Sequence, residues 1–183
     1  MNKPLNVPFP RSYWVAPDTF LAGFYPGDRN RRDMEQKLSA LLECGIRCIV
    51  NLMEEDETDH DGNPFVSYET LVQGIADQFG FKVACERIPI RDLGIPSRET
   101  MVKILDGIDG AIAADRPVYV HCWGGRGRTG TVVGCWLVRH GIANGTTALN
   151  HIQELRRFET SDHSPSPETT QQRQMVLTWK RGD

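Results

Sequence analysis

A chain of 183 residues, 39% hydrophobic and 25% charged, is long enough for one domain with a sizeable core and has the composition of neither a disordered nor a membrane-embedded protein. Its net charge of −3 argues against a nucleic-acid partner held by a broadly basic face. The first ten residues lack the apolar core of a signal peptide, no apolar run reaches membrane-spanning length, and the odd count of five cysteines shows no paired framework. These features predict a reducing, cytoplasmic setting without membrane insertion.

In chain order, residues 1–12 are rich in proline and predict an irregular arm, with one domain over 13–183. Tyr13-Trp14-Val15 and Phe20-Leu21-Ala22 flank a turn and read as two short strands. Asp33, with Gln36 three residues on, reads as an N-cap; Met34, Leu38, Leu41 and Leu42 stripe the helix, and Gly45 ends it. A strand follows over 47–52, then an acidic run over 54–62 that reads as a solvated loop. Ser67 opens a helix carrying Leu71, Val72, Ile75 and Phe79, and a further strand lies within 81–90.

Residues 91–96 form a loop, and Ser97 begins a helix with Met101, Ile104, Leu105, Ile108 and Ile112 on one face. Val118-Tyr119-Val120 is the next strand. Beyond Thr129 the chain is apolar all round to Leu137 and Val138, the mark of a buried central helix. Leu149, Ile152 and Leu155 stripe another helix, and a last one runs from about Glu168 to Trp179. Strands alternating with helices predict an α/β fold with a central, mostly parallel sheet and helices on both faces.

The chemistry concentrates in His121-Cys122-Trp123-Gly124-Gly125-Arg126-Gly127-Arg128-Thr129-Gly130, between a strand and the buried helix. A free thiol, with pKa about 8.5, is mostly protonated at neutral pH, and only the thiolate is a good nucleophile. After Cys122, the amides of Trp123, Gly124, Gly125, Arg126 and Gly127 can converge on an anion. The helix start and Arg128 add positive potential. The same groups that favour a thiolate suit the oxygens of a phosphoryl group, and the planar fork of Arg128 reaches two of them.

The letters Gly125-Arg126-Gly127-Arg128-Thr129-Gly130 also fit the dinucleotide-binding pattern G-x-G-x-x-G. That pattern needs an acidic residue at a strand end about 20 residues on, and this chain has a helical stripe there. The Walker pattern fails because Thr131 stands where a lysine is required. The run from Glu57 to Gly62 weakly suggests a calcium loop, but Tyr68 occupies the position of the bidentate glutamate. The histidines show no metal-ligand spacing, so no metal or other cofactor is expected.

Cys122 and Arg128, with five residues between them, preceded by His121 and followed by Thr129-Gly130, resemble the loop of the cysteine-dependent protein tyrosine and dual-specificity phosphatases. The resemblance extends over roughly residues 12–180 and implies a phosphatase-type α/β fold, a phosphocysteine intermediate and no metal. It implies that Cys122 is the nucleophile and that Arg128 binds the phosphoryl group. Thr129 then donates to the departing thiolate, and His121 holds the cysteine in place. The residues 91–97, thirty before Cys122, resemble the loop that carries the family's general acid, which makes Asp92 the candidate. Gln172 resembles the glutamine that positions water in the tyrosine-specific branch.

The implied function is a phosphomonoesterase acting on phosphotyrosine, and also on phosphoserine or phosphothreonine, in a phosphoprotein or phosphopeptide. Arg126 motivates a phosphoinositide or other non-protein phosphate as the alternative, and a non-catalytic phosphate-binding adaptor is the third reading. A disulfide from Cys48 or Cys85 would protect Cys122 only with Cα atoms within about 7 Å.

Overall fold

The computed structural model describes residues 7–157 and 164–183. Among them are five strands, β1 (Ser12–Ala16), β2 (Phe20–Phe24), β3 (Cys48–Asn51), β4 (Ala84–Arg87) and β5 (Val118–Cys122). Six helices join them: α1 (Arg31–Glu43), α2 (Glu69–Gln78), α3 (Arg98–Ala113), α4 (Arg128–Arg139), α5 (Gly145–Arg156) and α6 (Thr170–Thr178). The sheet order is β1-β2-β5-β3-β4, with β1 antiparallel to β2 and the other pairs parallel. The expected mostly parallel sheet is therefore present.

β5 is the central strand and is buried along its whole length, as a strand with parallel neighbours on both sides requires. It is inserted between β2 and β3, which are consecutive strands in the chain, so the strand order switches there. In open α/β sheets the crevice beyond the carboxyl ends of the strands at such a switch receives the ligand. α1 packs on α2, while α4 packs on α3, α5 and α6 and against β2 and β5. α4 is buried from Arg128 through Val138, so its apolar surround is explained by contact on every side.

Several boundaries differ from expectation. The cap of α1 is Asn30, whose side chain accepts from the Arg32 amide; Asp33 lies in the first turn, where its charge suits the helix dipole. α2 starts after Tyr68, with no side-chain cap, rather than at Ser67. Phe79 leaves the buried stripe: it is 54% exposed and stacks on Phe81. Ala111 rather than Ile112 completes the buried face of α3, and α6 is capped by Thr169. Residues 7–11 hold no helix or strand but are anchored, with Phe9 packed edge-on against Phe24 and Tyr119, and Ser12 already belongs to β1.

All five cysteines are free thiols. Cys48 pairs in register with Val118, four residues along β5 from Cys122, a separation of about 13 Å at the strand rise. Cys85 lies on β4, beyond β3 from β5, and its register partner Ile49 faces Tyr119. Neither thiol is placed to bridge Cys122.

Candidate active site

Cys122 is the last residue of β5, and Arg128 is the first of α4. The loop between them turns its carbonyls outward. The Trp123 carbonyl accepts from the Tyr25 amide at 3.0 Å, and that of Gly124 from Arg11 Nη2 at 3.0 Å. The Arg126 carbonyl accepts from Ser166 Oγ at 2.7 Å, and that of Gly127 from Thr131 Oγ1 at 2.9 Å. A planar trans peptide points the next N–H the opposite way, so the amides of residues 124, 125, 127 and 128 turn toward the loop's interior. Gly125 sits at φ 70°, and a Cβ there would come within 2.6 Å of the Gly23 backbone, so the close approach of loop to β2 needs glycine.

Cys122, Trp123, Gly124, Arg126, Gly127, Arg128, Asp92 and Gln172 line one cavity of about 620 Å³. The structure thus gathers residues separated by 80 positions in the sequence. Arg128 is 2% exposed and serves two carboxylates. Its Nη1 donates to Glu57 Oε1 and Oε2 at 2.5 and 2.9 Å and to the Ile90 carbonyl at 3.0 Å. Its Nη2 lies 3.0 Å from Asp92 Oδ1. Asp92 is half exposed and lines the cavity while touching the Arg128 guanidinium.

Glu57 is the residue that sequence reading missed. The acidic run was expected to be solvated, yet the Glu57 side chain is 11% exposed and locks the guanidinium from behind. Burial pushes its carboxyl up, and the Arg128 guanidinium opposes that shift. The rest of the run folds on itself: Asp59 Oδ1 accepts from the amides of Asp61 and Asn63, and Arg29 pairs with Asp59. Among the described residues no cluster of three or more His, Cys, Asp or Glu side chains is arranged to hold a metal.

His121 is fully buried. Its Nδ1 lies 3.3 Å from the Cys122 carbonyl, and its Nε2 lies 2.6 Å from the Tyr68 hydroxyl. A carbonyl only accepts, so Nδ1 carries the proton and Nε2 accepts from Tyr68. Burial lowers the ring's pKa to about 3, which keeps this neutral tautomer. His121 therefore holds the end of β5 and has no nitrogen left to take a proton from the thiol. Tyr68, 53 positions away, is a second residue that the sequence did not single out.

The unfolded chain takes up the His121 imidazole proton below about pH 6.5 and the folded chain only near 3, so stability is intact above the first value and falls with pH below it. The expected slope is about 1.4 kcal/mol per pH unit below the unfolded value. Urea denaturation at about pH 7 and about pH 5.5 measures it, and His121→Asn should flatten that slope; an equal slope in the variant would refute the assignment.

The remaining candidates are placed as follows. Thr129 is fully buried, with its hydroxyl 3.5 Å from the Gly23 carbonyl. Arg126 is ion-paired with Glu168, so its charge already has a carboxylate neighbour. Trp123 lies at the cavity edge, where its ring meets His60 at 4.4 Å and Phe65 at 5.3 Å. Gln172 is buried while Gln171 is exposed. Arg11 and Arg156 also line the cavity and carried no sequence signal.

Comparison with known proteins bears on the family and the fold. Residues 27–142 match the family described as "Polymorphic toxin system, DSP-PTPase phosphatase". An uncharacterised protein of Methanocaldococcus jannaschii is 40% identical over 67 residues, 37% of this chain and 46% of that one. The phosphatidylglycerophosphate phosphatase PTPMT2 of Arabidopsis thaliana is 33% identical over 90 residues, 49% of this chain and 39% of that protein. The chain thus spans less than half the length of the curated relatives it matches.

Among solved structures, Tk-PTP in its active form matches with TM-score 0.62 and 23% identity, over 92% of this chain and 95% of that one. PTPMT1 in complex with PI(5)P matches with TM-score 0.66 and 18% identity, over 92% and 94%. Both likenesses speak to the fold. With the family model spanning Cys122, Arg128, Asp92 and Glu57, the chain belongs to the DSP-PTPase phosphatase family of polymorphic toxin systems.

Proposed function

We propose that the protein is a cytoplasmic phosphomonoesterase that hydrolyses phosphotyrosine, and also phosphoserine or phosphothreonine, in proteins through a phosphocysteine. The observation that carries this reading is the convergence of Cys122, Arg128 and Asp92 on one cavity, with Asp92 Oδ1 3.0 Å from the anion clamp. The Cys122 thiolate attacks phosphorus; the S–P bond forms as the P–O bond breaks, and protonated Asp92 gives its proton to the leaving oxygen. Asp92, now a carboxylate, takes a proton from water. That water attacks phosphorus, the S–P bond breaks, and the thiolate leaves with a hydrogen bond from the Thr129 hydroxyl. The loop amides and Arg128 hold the equatorial oxygens in both steps. No cofactor enters this sequence.

The aromatic edge made by Trp123 and His60 suits a phenyl ring next to the phosphoryl group, which favours phosphotyrosine. A second reading, a phosphoinositide substrate, draws on the arginines at the cavity, Arg11 and Arg156 beside Arg126, and on the lipid-phosphate names of two similar proteins. Binding without catalysis, as in an adaptor, would leave Cys122 and Asp92 without purpose. One experiment addresses both readings: turnover of a phosphotyrosyl peptide and of a phosphoinositide in vesicles, by wild type and Asp92→Asn. Faster turnover of the peptide, with loss of the alkaline limb of the rate profile in Asp92→Asn, is expected. Faster turnover of the lipid would replace the protein substrate, and an unchanged profile would remove Asp92 from its role.

A further inference from the structure

The N-terminal end of α6 grips the loop that carries Asp92. Gln172 Nε2 donates to the Gly94 carbonyl at 3.0 Å. The Thr169 hydroxyl accepts from the Gln172 amide at 3.2 Å and donates to the Leu93 carbonyl at 3.4 Å. Leu93 and Gly94 are the two residues that follow Asp92. Leu93 sits at φ 59°, a left-handed conformation that disfavours a residue with a Cβ. Its side chain is exposed, so its own burial does not hold that conformation. The bonds from α6 meet two consecutive carbonyls at this strained turn.

The same residues show what Gln172 has left to offer. Its Oε1 accepts from the amides of Glu168 and Thr169, each at 3.1 Å, as the reciprocal half of the α6 capping box. An amide oxygen has two lone pairs, and both are engaged. The oxygen is therefore committed to the helix cap, and one Nε2 hydrogen to the acid loop. Gly127 lies against this amide: a Cβ there would approach Nε2 and Oε1 to 3.1 Å.

We propose that Gln172 and Thr169 are positioning residues that latch the Asp92 loop to α6, and that the latch sets the Asp92 carboxyl at the leaving oxygen of the substrate. Gln172 acts in the first chemical step, through Asp92, rather than by orienting water in the second. The proposal rests on Asp92 being the general acid, and the test separates the two claims.

The test is the kcat/KM of purified protein on a series of aryl phosphates with progressively less acidic phenols. A positioned acid keeps the wild-type series nearly flat, and Asp92→Asn makes it steep. Gln172→Glu keeps an acceptor for the cap but turns an oxygen toward the Gly94 carbonyl, and Gln172→Met removes both the donor and the cap acceptor without adding charge. Relative to p-nitrophenyl phosphate, both variants should lose a further factor of about 10 to 100 on the poorest leaving group, since misplacing a catalytic group costs up to about 100-fold.

In an Asp92→Asn background neither change should steepen the series further. An added negative charge at the cavity lowers every member of the series alike, so the slope reads the latch. A flat series in both variants overturns the latch while leaving the acid in place. A fall in kcat with kcat/KM unchanged, and phosphocysteine accumulating, also overturns it by moving Gln172 to the water step. A wild-type series as steep as that of Asp92→Asn overturns the acid assignment and the latch with it.

Discussion

Cys122→Ser is expected to lower turnover of p-nitrophenyl phosphate by at least about 10⁴-fold while leaving the binding of inorganic phosphate within about threefold. The proposed anion cradle consists of backbone amides and Arg128, none of which the substitution alters. The reaction fails because a serine hydroxyl needs a base, and in the proposed first step Asp92 holds the proton it gives to the leaving oxygen. His121, the neighbour that would act in a serine hydrolase, has its Nε2 on the Tyr68 hydroxyl and its Nδ1 at the Cys122 carbonyl. Burial lowers its pKa to about 3, so it is a poor proton acceptor in any case. Steady-state kinetics and calorimetric titration with phosphate check the two halves separately. Turnover within a hundredfold of wild type would refute the thiolate mechanism, and loss of phosphate binding would refute the backbone cradle.

The cysteine loop was legible in the sequence because each part leaves a local mark. The apolar run before Cys122, the glycines after it and the all-round apolar helix from Thr129 are neighbours along the chain, and period and turn chemistry report neighbours well. Glu57 left no such mark. An acidic run looks the same whether solvent or an arginine 71 positions away receives it, and only the fold brings Arg128 behind it. Tyr68 was hidden for a related reason, since a tyrosine before a helix has no period that points to His121. The misplaced cap at Asp33 shows a different limit. Asn30 and Asp33 are both good caps by composition, and the choice depends on where α1 meets its neighbours. Phe79 continued a helical stripe in the sequence but lies at the C-cap of α2, past the last buried turn.

The second large effect follows from the geometry of Arg128. Arg128→Lys is expected to reduce kcat/KM by about 10²–10³-fold, the scale of losing an electrostatic clamp on developing charge. Charge is preserved, so the loss measures the fork. In the structure Nη1 holds Glu57 and the Ile90 carbonyl while Nη2 meets Asp92 Oδ1, and the guanidinium plane keeps both sides in place at once. A single ammonium cannot span Glu57 and a phosphoryl group on the opposite side. If it stays with Glu57, substrate loses its clamp; if it turns to substrate, a buried carboxylate is left alone, at a cost of several kcal/mol. Glu57→Gln separates these cases: the guanidinium keeps a neutral acceptor, so only a milder loss of about tenfold is expected, through looser placement of the fork. Kinetics of both variants, with thermal unfolding to confirm the fold, decide the matter. If Arg128→Lys keeps a tenth or more of the wild-type rate, the fork is dispensable and a point charge suffices; if Glu57→Gln loses as much as Arg128→Lys, Glu57 does more than brace the arginine.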